Sequence, residues 1–279
     1  MKMDLTSKSF ICRDLHENRY FNLSSSDNNV KAIIMIHGIT AELHHHEQFG
    51  ANIASGWDVL FPVLRGYDKA SSGRGDIDHM GQFDEDILDF IHFLRKKGYQ
   101  KIVLAGHSMG CGNILRLIGK PNLVDGYLFI SPFFHPALPV YKRDSTKQDK
   151  PETDVDYDID TKRVFVLTTL YRMNLNLAPK ASVATIPDEF EGDGKLKLSF
   201  RLLASRFMKE LPSKDHFSQV SVPMVTLIGS DDEVTHPEKL KDWYEERCDQ
   251  PFHIIDGTDH NHILHDERAL RIINEWLDD

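Results

Sequence analysis

Cysteine is scarce: the 279 residues carry only 3, at Cys12, Cys111 and Cys248. They are widely scattered, with neither the close spacing of a metal site nor the even count of a disulfide framework, which points to reduced, structural thiols. Long apolar runs are missing too. None approaches the ~20 residues that cross a bilayer, so stable membrane insertion is not expected. The opening residues Met1-Lys2-Met3-Asp4-Leu5-Thr6-Ser7-Lys8 lack the apolar core of a signal peptide, and a cytoplasmic location is the expectation. Basic charge is in deficit, with Lys+Arg 33 against Asp+Glu 43 and a net charge of −10. No stripe of Lys and Arg overrules that average, which disfavours nucleic acid and anionic membranes as electrostatic partners. The cluster Arg95-Lys96-Lys97 falls in the last turn of a predicted helix, where cations complement the macrodipole.

What is present is the composition of a soluble globular protein, 41% hydrophobic and 27% charged. Loose alternation through Phe10, Ile11, Tyr20, Phe21 and Leu23, before the polar turn at 24–29, predicts an antiparallel hairpin at a sheet edge. Continuous apolar runs at 32–36, 57–62, 101–105, 124–130, 223–228 and 251–255 read as strands buried on both faces. Helix-period positions separate several of them: Phe83, Ile87, Leu88, Ile91, Phe93 and Leu94, then 237–247 with Pro at its start, then Leu270, Ile272, Ile273, Trp276 and Leu277 near the end. The expected class is α/β, with a mostly parallel central sheet and helices on both faces. From 134 to 217 the alternation stops. Pro136, Pro139 and an acidic stretch at 154–160 open this segment, and helix-compatible pieces at 164–171 and 196–207 follow. The expectation is a core of 1–133 and 218–279 carrying a helical cap, or lid, at 134–217.

Chemistry enters at Gly106-His107-Ser108-Met109-Gly110, set between a predicted strand and a predicted helix. In that context a G-x-S-x-G turn places its serine in a strained conformation with the hydroxyl clear of the sheet, and the glycines let strand and helix approach. A serine hydroxyl needs a base to take its proton and an acid to orient that base. Ligands gather at the carboxyl ends of parallel strands, so the partners are sought in loops after later strands. Two loops qualify: Gly229-Ser230-Asp231-Asp232-Glu233 and Asp256-Gly257-Thr258-Asp259-His260-Asn261-His262. The Met109 amide, at the start of the elbow helix, is one donor for an oxyanion. His44-His45-His46 reads as an exposed turn or pocket rim, because adjacent residues point different ways and make a poor metal site.

These residues, together with His37-Gly38, Arg65-Gly66-Tyr67-Asp68, Ser72-Gly73 and Gly81-Gln82, resemble the α/β-hydrolase superfamily. The branch they resemble is that of monoacylglycerol lipases, lysophospholipases and serine aminopeptidase-like enzymes. The resemblance spans nearly all the chain outside the insertion. It implies Ser108 as nucleophile, Asp232 as acid ahead of Asp231, and His260 as base with His262 second. It also implies the amide of Ile39 as the other oxyanion donor. Asp68 stands where the family usually has glycine, and Cys111 where a third glycine is frequent. The implied activity is cleavage of carboxylic esters, lipid-like monoesters or short-chain esters, without cofactor or metal. Thioesters, amides, or ligand binding without catalysis on the same fold are the alternatives. The sequence assigns no oligomeric state.

Overall fold

In the computed structural model the described residues are 7–24, 29–68, 73–142, 157–175, 177–190 and 194–279. The first six residues, positions 25–28 of the polar turn, Ser72, Asp154 and Asp156 lie outside them. The sheet is built from β1 (Ser7–Ile11), β2 (Glu17–Asn22), β3 (Lys31–Ile36), β4 (Trp57–Pro62), β5 (Lys101–His107) and β6 (Gly126–Ile130). The segment after β6 supplies β7 (Asp158–Ile159), β8 (Ser182–Pro187) and β9 (Lys195–Ser199), and the main sheet resumes with β10 (Met224–Gly229) and β11 (Phe252–Ile255). The eight main strands lie in the order β1-β2-β4-β3-β5-β6-β10-β11. From β4 to β11 every neighbouring pair is parallel, while β1 and β2 form the antiparallel edge hairpin.

The central strands are apolar on both faces because helices cover the sheet. Ile33, Ile34, Leu104, Leu128 and Leu227 are all fully buried. The helices are α1 (Leu43–Asn52), α2 (Gln82–Lys96), α3 (Gly110–Leu115), α4 (Thr161–Arg172), α5 (Phe200–Ala204), α6 (Lys214–Ser218), α7 (Pro237–Glu245) and α8 (Glu267–Asp278). In α8, Asp266 caps the first turn by accepting from the Arg268 and Ala269 amides, and Ala269, Leu270, Ile273 and Leu277 turn inward at helical spacing. In α2, Asp84 and Glu85 open the helix and Arg95 and Lys96 close it, the polarity that the macrodipole favours. Arg95 also binds Asp125 at 2.7 Å and the carbonyl oxygens of Tyr99 and Gln100, so this cluster is spent on the helix end.

The segment at 134–217 differs from the expectation of a helical insertion. Helices α4, α5 and α6 are there, but beside them β7, β8 and β9 form a three-stranded antiparallel sheet. The stretch at 196–207 begins as β9 and turns helical only at Phe200. The reason is the alternation Lys195-Leu196-Lys197-Leu198, in which both leucines are buried and both lysines exposed. Ser199 then caps α5 through its hydroxyl, which accepts from the Leu202 amide at 3.0 Å.

Close packing at the sheet centre depends on Gly110. A Cβ there would lie 2.0 Å from the backbone oxygen of Ile36 on β3. Helix propensity alone favours alanine over glycine by about 1 kcal/mol, but overpacking against a backbone that cannot yield costs about 1–3 kcal/mol or more. Gly110→Ala is therefore expected to lower the stability measured by urea denaturation. An unchanged or raised midpoint would show that β3 and α3 can separate.

Candidate active site

β5 delivers Ser108 at the centre of the sheet edge. Its φ of 54° lies in the left-handed region, which a non-glycine residue adopts only under constraint. The constraint is visible. The Ser108 amide donates to Ile130 O at 3.0 Å, and its carbonyl accepts from the Cys111 and Phe133 amides, each at 3.0 Å. Gly106 has no room for a side chain, since a Cβ would sit 2.7 Å from Gly110 C and Cys111 N. Cys111 is buried and its thiol reaches Gly106 O at 3.0 Å, so the cysteine packs under the elbow. Asp68 has a similar local account: it receives two hydrogen bonds from the Arg19 guanidinium of β2, at 2.7 and 2.8 Å.

The candidate acid and base come from the loops after β10 and β11. Asp232 is fully buried. Its Oδ1 accepts from the Val234 and Thr235 amides at 2.9 and 2.7 Å, and its Oδ2 stands 2.8 Å from His260 Nδ1. Burial opposes a charge on Asp232, yet the imidazole and the two amides outweigh it and hold the carboxyl below its usual value. Burial likewise opposes a charge on His260, but Asp232, supported by Glu233 and Glu42, pushes its pKa up to about 9. The neighbouring candidates fall away from this pair. Asp231 accepts from the Ser230 hydroxyl on the exposed side of the turn. His262 is exposed, begins a short 3-10 turn (His262–Leu264), and packs on His265.

Ser108 and His260 line one cavity of about 1120 Å³, together with Gly38, Ile39, Met109 and an apolar wall that includes Phe133, Leu138 and Phe207. No hydrogen bond joins the Ser108 hydroxyl to the ring among the described residues; such bonds are often long before substrate binds. The amides of Ile39 and Met109 make no hydrogen bond among the described residues, so both N–H groups are free to serve a ligand. Gly38 stands against the hydroxyl, for a Cβ there would lie 3.6 Å from Ser108 Oγ.

Other histidines occupy places the sequence did not reveal. His44 is exposed, but His45 and His46 are buried in α1, which corrects the reading of all three as an exposed turn or rim. The His46 ring packs on Phe61 and His107, and burial takes its pKa down to about 4. His107 Nε2 meets the carbonyl of His260 at 2.9 Å, a contact to the backbone of the candidate base. Glu42 and Glu233 were also missed. Glu42 is buried at the cavity wall, and Glu233 accepts from the His260 amide at 3.1 Å. Nothing in their local sequence marks them, because their burial depends on loops that meet only in the fold. Among the described residues there is no group of three or more His, Cys, Asp and Glu placed to hold a metal ion, and no helix long and apolar enough to cross a membrane.

A mostly parallel sheet with a strained serine after its fifth strand, and a carboxylate–imidazole pair on the following loops, defines an α/β hydrolase. The family model described as serine aminopeptidase, S33, matches residues 27–268, and the chain belongs to that family. Its fold is similar to that of a soluble variant of monoglyceride lipase from Saccharomyces cerevisiae, with a TM-score of 0.65 and 16% identity over 99% of this chain and 94% of that one. It is also similar to a thermophilic esterase from Thermogutta terrifontis (TM-score 0.62, 17% identity, 98% of each chain). Est1E from Butyrivibrio proteoclasticus, solved with ferulic acid, is comparable (TM-score 0.64, 17% identity, 97% of each chain). No curated protein shows a significant sequence match.

Proposed function

We propose that the protein is a serine hydrolase that cleaves carboxylic esters through an acyl-enzyme on Ser108. The observation that carries this reading is His260, on the wall of the cavity that Ser108 also lines, held at 2.8 Å by the fully buried Asp232 behind it. In the proposed cycle Ser108 attacks the ester carbonyl as His260 takes its proton. Asp232 holds the Nδ1–H tautomer and stabilises the imidazolium. The amides of Ile39 and Met109 receive the charge that develops on the carbonyl oxygen. His260 then protonates the departing alcohol, and water repeats the sequence to free the acid.

The cavity supports a lipid-like monoester, such as a monoacylglycerol or lysophospholipid, as substrate. Its volume of about 1120 Å³ exceeds the usual small-ligand range of about 300–1,000 Å³. Much of the apolar wall comes from the segment at 134–217, through Leu138, Val164, Leu203 and Phe207. We infer that this segment is a cap that selects the acyl group. A cytoplasmic setting is consistent with three buried, unpaired cysteines.

A fluorophosphonate probe tests the proposal. One equivalent is expected to add to the intact protein, with the modified peptide carrying Ser108, and hydrolysis of p-nitrophenyl esters is expected to stop in step. An unlabelled active protein, or labelling elsewhere, contradicts it. A panel of monoacylglycerols, lysophospholipids, short esters, thioesters and aminoacyl amides then ranks the substrate classes. Preference for amides or thioesters would displace the lipid-ester assignment while leaving the nucleophile in place.

A further inference from the structure

Arg206 is a buried cation without a carboxylate. It follows α5 in the segment at 134–217, is fully buried, and pairs with no acidic side chain among the described residues. Its Nη2 donates to the carbonyl oxygens of His37 and Gly38, the second at 2.9 Å, while Nε and Nη1 have no hydrogen-bond partner. The guanidinium lies 5.8 Å from the Tyr67 ring centre and 5.7 Å from that of Phe83, so aromatic faces are the remaining compensation for its charge. Burying an unpaired guanidinium is costly, and a hydrogen bond to a loop could be made by a neutral side chain. Its position shows what the charge reaches.

The carbonyl of Gly38 and the amide N–H of Ile39 belong to one planar peptide unit. In a trans peptide the two groups point in opposite directions. Fixing the oxygen on the protein side therefore fixes the N–H on the cavity side. The same oxygen is met at 2.7 Å by His37 Nδ1, whose ring is set as the Nδ1–H tautomer because Nε2 accepts from the Leu64 amide at 3.3 Å. Two donors thus occupy the Gly38 oxygen. The one from Arg206 is charge-assisted, which also polarises the peptide and strengthens its N–H as a donor.

We propose that Arg206 is a positioning residue that anchors and polarises the Gly38–Ile39 peptide for oxyanion binding. The inference rests on the proposed function, in which the Ile39 amide is an oxyanion donor. It assigns the cap segment a part in the chemistry as well as in enclosing the substrate. The backbone around Arg206 is held separately: Arg116 donates to the Phe207 carbonyl, and Gly112 of α3 fits so closely that a Cβ would lie 2.7 Å from Arg206 O. Losing the guanidinium therefore leaves the Gly38 oxygen on His37 alone, without its charged donor, while the segment stays in place.

The test compares Arg206→Met and Arg206→Lys with wild type, using a p-nitrophenyl ester, a trifluoromethyl ketone that forms a tetrahedral adduct, and the product acid. In Arg206→Met, kcat/KM and ketone affinity are expected to fall together by about 10- to 100-fold. KM and product-acid affinity should stay within about threefold. Arg206→Lys should recover part of the loss. Wild-type ketone affinity in a folded Arg206→Met, or equal losses for ketone and product acid, overturns the proposal. If neither variant folds, the wild-type protein labelled with ¹⁵N-arginine decides. The buried Arg206 Nη–H resonance should shift on ketone binding and hold still with product acid, and a stationary resonance is evidence against. An active Ser108→Ala would remove the underlying reading. An inactive Ser108→Ala beside unaffected ketone binding in Arg206→Met removes the positioning role alone.

Discussion

Ser108→Ala is expected to lower kcat for p-nitrophenyl esters by about 10⁴-fold or more, with substrate binding little changed. The loss is large because the proposed acyl-enzyme forms on this hydroxyl. Cys111 is the nearest thiol in sequence, but it is buried with its Sγ turned to Gly106 O, and burial drives its pKa far above that of a free thiol. The fold should survive, since the strained φ of 54° is set by backbone hydrogen bonds to Ile130, Cys111 and Phe133 that alanine keeps. A slow residual rate is expected from the Ile39 and Met109 amides and from substrate positioning, since such sites retain about 10³–10⁴-fold over water without the triad. Steady-state kinetics on the purified variant checks this. Retention of more than about a tenth of the wild-type kcat would mean that the hydroxyl is not the nucleophile.

The parts of this site that were legible in the sequence are those built from short-range chemistry. Gly106 to Gly110 carries its own turn geometry, and the apolar runs of β3, β4 and β5 announce strands buried on both faces. Chain order and strand ends narrowed the partners to two loops, and the family resemblance pointed to Asp232 and His260 within them. The rest depends on contacts that no local pattern encodes. His45 and His46 look like a polar turn until α1 packs them against Phe61, His107 and His265. β8 and β9 each stabilise the other, and Leu196 and Leu198 were too short an alternation to stand out from the helix-compatible run that follows. Arg206 had a visible signal, a lone charge in Leu202-Leu203-Ala204-Ser205-Arg206-Phe207-Met208. Only the fold shows which carbonyl oxygens it reaches.

The second large effect is expected at the carboxylate–imidazole pair. Asp232→Asn and His260→Ala should each lower kcat by about 10³–10⁴-fold, whereas His262→Ala should stay within about threefold. Asparagine keeps the shape of Asp232 but cannot stabilise an imidazolium at 2.8 Å, and it can present its NH₂ to Nδ1 and select the wrong tautomer. His262 is exposed and does not line the cavity. Loss with His262→Ala and retention with His260→Ala would reverse the assignment of the base. The pH profile gives an independent reading. His260 must be neutral to accept the Ser108 proton, and Asp232, Glu233 and Glu42 together overcome burial to hold its pKa at about 9. In wild type, kcat/KM should therefore climb with pH and level off above about 9. Asp232→Asn should move that limb to lower pH while dropping its plateau, and Glu233→Gln should move it less. The same charge contributes stability. A histidine raised above its ordinary value favours the folded state fully at pH values below the unfolded pKa, and that contribution fades as pH rises through about 9. The thermal midpoint of wild type should thus decline over that interval more than that of His260→Ala. A limb near pH 6.5 that is indifferent to both acidic substitutions would mean that the pair does not set the base.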